Sequence, residues 1–120
     1  MSELTWSATE KKAARAAFDL ALARELKSIR QHAEAMLRNG EDDRIVWRLR
    51  DYLSEKGREI DQKYDYRYSV LMLVFHRLVS EGWLTEDELT GIGVEKVEMI
   101  RRVRSTTDKE VSRYKDRIKW

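Results

Sequence analysis

Trp47, Arg50, Asp51, Ser54 and Arg58 recur at spacings of three and four, so a helix would place them on one face. An indole between a guanidinium and a carboxylate has little bond-making chemistry to offer. It has the composition of a protein–protein hot spot, where aromatic and Arg side chains are enriched. The same pattern also fits a Trp packed on a neighbouring helix beside ordinary charge pairs, and spacing leaves both readings open. Groups suited to catalysis are sparse. His32 and His76 are the only histidines, and neither belongs to a HExxH pair, so a zinc site is not expected. His76 follows an apolar run and reads as a polar-face or interface residue. Glu59 and Asp61 point in different directions on a helix and do not make a general acid/base pair. The chain has no cysteine, which removes thiol catalysis, disulfides and cysteine-ligated zinc. No Gly-rich phosphate loop and no serine in a nucleophile elbow is present. The expectation is a non-enzyme with no metal and no cofactor.

Composition says what must carry that face. The 120 residues are 42% apolar and 38% charged, with five glycines and no proline. That apolar share can build a core, and the charged share is well above that of an average domain. With so few Gly and no Pro for turns, a β-sandwich or barrel is not expected, so the expected fold class is all-α. The N-terminus has no basic and apolar leader. The longest apolar run, Val70 to Phe75, is far shorter than a membrane span. The expected location is the cytoplasm, away from membranes.

Four helical stretches follow from pattern. The first runs from about Ala8 to Asn39, capped by Ser7 or Thr9, with Glu10 placed to reach back three residues after Ser7, and stopped by Asn39-Gly40. Phe18, Leu22, Leu26, Ile29, Ala33 and Met36 form its stripe. About 30 residues make a helix of roughly 45 Å, too long to be covered by a domain of this size, whose radius of gyration should be near ~14 Å. Part of the stripe therefore needs a second chain, and a homodimer is expected through Leu26, Ile29, Ala33, Ile45, Val46, Leu49 and Leu53. The second helix begins after Glu41-Asp42-Asp43, with Ile45, Leu49, Tyr52, Leu53 and Ile60 as its apolar face. Gly57 in its middle suggests a bend or close approach. Lys63 to Tyr68 reads as a kink with Asp65 as a cap. The third helix runs to Ser80, and its run Val70 to Phe75 should be buried on several sides. Thr85 to Leu89 is a capping box for a short helix stopped at Gly91 or Gly93. The last helix spans about Val94 to Ile118, with Val97, Ile100, Val103 and Thr107 as one stripe. The whole reads as one domain, with residues 8–62 as dimerisation helices and 65–118 as head helices.

Net charge is +2. From Gly93 onward there are nine Lys or Arg against five Asp or Glu, so the rest carries −2. Such a basic tail is usually a solvated helix face. A nucleic-acid module using Arg101, Arg102, Arg104, Lys109 and Arg113 is the minor alternative.

Longer motifs are more specific. WxLxDxLSxK spans Trp47 to Lys56, EIDxKYDxRxSV spans Glu59 to Val70, and VFxxLVxEG spans Val74 to Gly82. With Trp6-Ser7, Arg24-Glu25-Leu26 and Asp87-Glu88-Leu89-Thr90, they make the chain resemble the fluorescence recovery proteins of cyanobacterial photoprotection over residues 6 to 104. The resemblance implies an all-helical homodimer that is not an enzyme. It implies binding to the light-activated orange carotenoid protein, chiefly its C-terminal domain, and faster return of that protein to its orange form. It places Trp47 and Asp51 in the dimer and partner-binding region. Arg50 stands where the family has a histidine, Gly57 where it has an arginine, Leu73 where it has an aromatic and Met99 where it has a lysine. Leu73 and Met99 become head-contact candidates. These departures, and the chain past Ser105, resemble the branch outside cyanobacteria or a reconstructed ancestor, for which the partner would be another protein.

Overall fold

A computed structural model describes residues 4–103. It is all-helical there: α1 Ala8–Asn39, α2 Ile45–Lys63, α3 Leu71–Ser80, a 3-10 helix Asp87–Ile92, and α4 over 94–103.

α1 starts with the expected capping box. The Ser7 hydroxyl accepts from the Glu10 amide at 3.1 Å, and the Glu10 carboxylate accepts from the Ser7 amide at 2.8 Å. The Glu10 carboxyl is held below the usual range, first by that amide and then by Lys96. The helix ends at Gly40, whose backbone is extended rather than left-handed (φ −68°, ψ 132°). Glycine is needed there for space, because a Cβ would meet the Ile45 side chain at 2.8 Å. α2 then folds back on α1. His32 lies 4.5 Å from Tyr52 between ring centroids, and Glu25 meets Lys63 at 2.6 Å, which makes an antiparallel hairpin.

The head is built on the first half of α1. Ala14, Ala17, Phe18 and Ala21 are buried there against Leu71, Phe75 and Leu78 of α3, Leu84, Leu89 and Ile92, and Val97 and Ile100 of α4. Small α1 residues let the 3-10 helix come close: a Cβ at Gly91 would meet the Ala13 Cβ at 2.6 Å. Burying a Leu or Phe such as Leu71 or Phe75, both fully enclosed, contributes about 1.5–3 kcal/mol each. Phe18 also takes two tyrosine edges, Tyr64 at 5.3 Å and Tyr66 at 4.9 Å. Burial first, and then Tyr68, pushes the Tyr66 phenol up to about 12.

Several local expectations change. Asp65 does not cap a helix; it binds Arg67 at 2.9 Å, and α3 has no side-chain cap. The run Val70 to Phe75 is not enclosed all round, since Leu73 is 67% exposed. A ten-residue helix with one face on the core leaves its other face open. Val103 is half-exposed while Val97 and Ile100 are buried, because only the latter two face the core. The short helix does carry its Thr85–Glu88 capping box and ends at Gly93 with φ +108°, a conformation glycine permits. Thr107 and the rest of the proposed last helix lie outside the described residues. Among those described, no helix is long and apolar enough to cross a membrane.

Candidate functional site

α2 separates its residues by angle. Ile45, Leu49, Tyr52, Lys56 and Ile60 are half-buried towards α1, while Trp47, Arg50, Asp51, Ser54 and Arg58 are exposed. Trp47 is 59% exposed. The Arg50 guanidinium lies 5.3 Å from the Trp47 ring centroid and donates to Asp51 Oδ1 at 3.1 and 3.0 Å. These three side chains therefore form one aromatic and charged unit, and no neighbouring helix among the described residues covers the indole. The exposed Arg50–Asp51 pair contributes little to stability. A flat indole backed by a cation suits recognition by another protein. Ser54 and Arg58 extend the same exposed face by one and two turns. An open groove at the hairpin tip borders Trp47 and is also lined by Met36, Asn39, Asp42, Ile45 and Arg48.

The candidate interface residues divide along the hairpin. Leu26, Val46 and Leu53 are 50%, 47% and 43% exposed. Ile29, Ala33, Ile45 and Leu49 are half-buried. Gly57 has nothing within 4 Å of where a Cβ would stand, so no close approach among the described residues explains it. Leu73 on α3 and Met99 on α4, at 67% and 37% exposure, sit on different elements of the head.

Charge arrangements that sequence reading did not single out hold the head to the hairpin. Arg24 is bidentate on Glu88 at 2.8 and 2.6 Å and also donates to the Trp83 carbonyl at 3.0 Å. Arg24 first, and the Thr85 amide next, hold the Glu88 carboxyl down to about 2. Glu25 and Lys63 are both 4% exposed. The one available signal was position: Glu25 follows Ala14, Ala17, Phe18 and Ala21 in the core-facing register. Its partner lies 38 residues away, and no local pattern points to it. The Tyr64 phenol is pushed up by burial and by the neighbouring Glu25 carboxylate.

The basic face offers less. Arg101 is paired with Glu86 at 2.9 Å, and Arg102 is also engaged. Arg104, Lys109 and Arg113 lie outside the described residues. No group of three His, Asp or Glu with metal-binding geometry occurs among the described residues.

Residues 6–104 match the family described as photoprotection regulator fluorescence recovery protein. The fluorescence recovery protein of Synechocystis sp. PCC 6803 is 37% identical over 100 residues, covering 83% of this chain and 92% of that protein. Two solved structures are similar. The Fremyella diplosiphon fluorescence recovery protein aligns with a TM-score of 0.77 at 40% identity, covering 85% of this chain and 99% of that one. The Synechocystis sp. PCC 6803 protein aligns with a TM-score of 0.76 at 37% identity, covering 82% and 96%.

Proposed function

The chain belongs to the photoprotection regulator fluorescence recovery protein family, and from that premise we propose that it is a non-enzymatic regulator of the orange carotenoid protein. It binds the photoactivated form, chiefly through that protein's C-terminal domain, and speeds its return to the resting orange state in the cytoplasm. The observation that carries this reading is the uncovered Trp47–Arg50–Asp51 unit on α2, at the position of the WxLxD motif.

The working form is a homodimer. Helical phase places Leu26, Ala33 and Leu37 of α1 on the same side of the hairpin as Val46, Leu53 and Gly57 of α2. The exposed Leu26, Leu37, Val46 and Leu53 make an apolar stripe of the kind a second copy covers. Gly57 lies in that stripe with open space around it, where a partner helix has room to come close. The recognition face begins at the edge of the stripe, at Arg50. Dimerisation thus supports the recognition face without covering it.

The test is spectroscopic. Photoactivated orange carotenoid protein is left to recover in the dark with increasing amounts of this chain. Faster loss of the red form is expected, and an unchanged rate at excess chain refutes the assignment. Arg50, Gly57, Leu73 and Met99 give a second reading, a dimer of the same build that takes another protein. The unchanged recovery rate is the result that would favour it.

A further inference from the structure

The junction between hairpin and head is a chain of charges. Lys63 Nζ, at the last residue of α2, donates to both Glu25 oxygens at 2.8 and 2.6 Å and to Glu81 Oε1 at 2.6 Å. The Tyr64 hydroxyl donates to Glu25 Oε1 at 2.9 Å. Glu81 also accepts from the Trp83 indole at 3.0 Å and from Arg77 at 2.8 Å. Glu25, Lys63, Glu81 and Arg77 alternate in sign, so the group is neutral. The Lys63 and Glu25 side chains are only 2% and 6% exposed.

What makes the cluster informative is what α2 lacks. Lys63 is the only buried residue of α2, and the head core contains no α2 side chain. At this one enclosed point the hairpin's second arm is therefore tied to α1 through Glu25 and to the end of α3 in the head through Glu81. A buried ion pair is a weak source of net stability, because desolvation offsets the attraction. Its geometric demand is high, since each charge loses its partner if the elements shift. Apolar contacts tolerate small tilts far better.

We propose that Glu25, Lys63 and Glu81 form a positioning joint that holds α2 at one angle to the head, so that a partner bound at the Trp47 face meets the head in one orientation. The angular part stands on the geometry alone; the partner part rests on the function proposed above.

The test compares the native chain with Glu25→Leu/Lys63→Met, which exchanges the pair for apolar side chains of similar length. The absence of native cysteine allows clean spin labels at the exposed positions Glu55→Cys on α2 and Glu98→Cys on α4. Dilution with unlabelled chain isolates distances within one protomer. The native joint should give one narrow distance, and the double variant should broaden it by about twofold or more while staying helical and dimeric. Glu81→Gln, at a partly exposed carboxylate, supplies the same reading should the double variant fail to fold. In the recovery assay the maximal rate should fall about tenfold, with the half-saturating concentration moving less than about threefold, because binding at the Trp47 face survives while the bound partner is no longer held in one orientation. A narrow, unshifted distance in the variants overturns the joint. A broadened distance with an unchanged maximal rate overturns its role in partner binding. No acceleration by the native chain counts against the function above, and the distances still decide the joint.

Discussion

Replacing Val46 by glutamate should split the proposed homodimer. Val46 is 47% exposed in the isolated chain, which leaves about 70 Å² for a second copy to cover, or about 2 kcal/mol of apolar contact at 25 cal/mol per Å². A glutamate there loses that contact and also places an unpaired charge in the interface, at about 3 kcal/mol or more. Two-fold symmetry applies the change twice. Even if side-chain rearrangement recovers half of the loss, the dimer dissociation constant should rise by at least about three powers of ten, since each 1.4 kcal/mol is tenfold. Sedimentation velocity over a dilution series measures this directly. The far-ultraviolet dichroism should keep its helical form, because no head residue is touched. Val46→Ala should weaken the dimer much less, as it removes contact without adding charge. A Val46→Glu chain that stays dimeric with the native constant would refute the placement of the interface on this side of the hairpin.

Trp47→Ala should leave the melting temperature within about 2 °C, as expected for an exposed position, and should weaken binding to the carotenoid protein by about 30-fold or more, the scale of a hot-spot aromatic; titration calorimetry beside a melting curve separates the two. Gly91→Ala should destabilise the head by about 1–3 kcal/mol, because its Cβ would press on the Ala13 Cβ at 2.6 Å; a denaturant midpoint equal to the native one would contradict that close approach. Glu88, with its carboxyl lowered to about 2 by Arg24, contributes stability that is present above the ordinary glutamate range. That contribution is lost as pH falls from about 4.5 towards about 2. Melting temperatures recorded across that window should drop more steeply for the native chain than for Glu88→Gln, and parallel curves would show that the pair is not linked to folding.

Local rules account for much of what was legible. The ends of α1, its Ser7–Glu10 box and the Thr85–Glu88 box depend on contacts three residues apart, and the sequence displays both partners together. The exposed set from Trp47 to Arg58 follows from helical spacing, once Ile45, Leu49 and Tyr52 are given the inner face. Asp65 caps nothing because α3 starts only at Leu71, and the guanidinium two residues on takes its carboxylate. Gly40 was legible as a stop but not for its reason, because the crowding side chain, Ile45, reaches it only after the chain turns.

The sequence by itself determined an all-helical fold, the extent of α1 and, through the motifs from Trp47 to Gly82, the family. Those properties lie in composition, short-range spacing and residue order. Only the tertiary structure decided which side of each helix is inside. Ala14, Ala17 and Ala21 suit any face of a helix, and they are buried because the core residues between Leu71 and Ile100, distant in sequence, close on α1. Glu25 and Lys63 look like solvated charges until α2 folds back and removes both from water together. Leu73 looks buried until the head closes on the opposite side of α3. Burial is a property of partners brought together across the chain, whereas helical periodicity gives only the faces available for it.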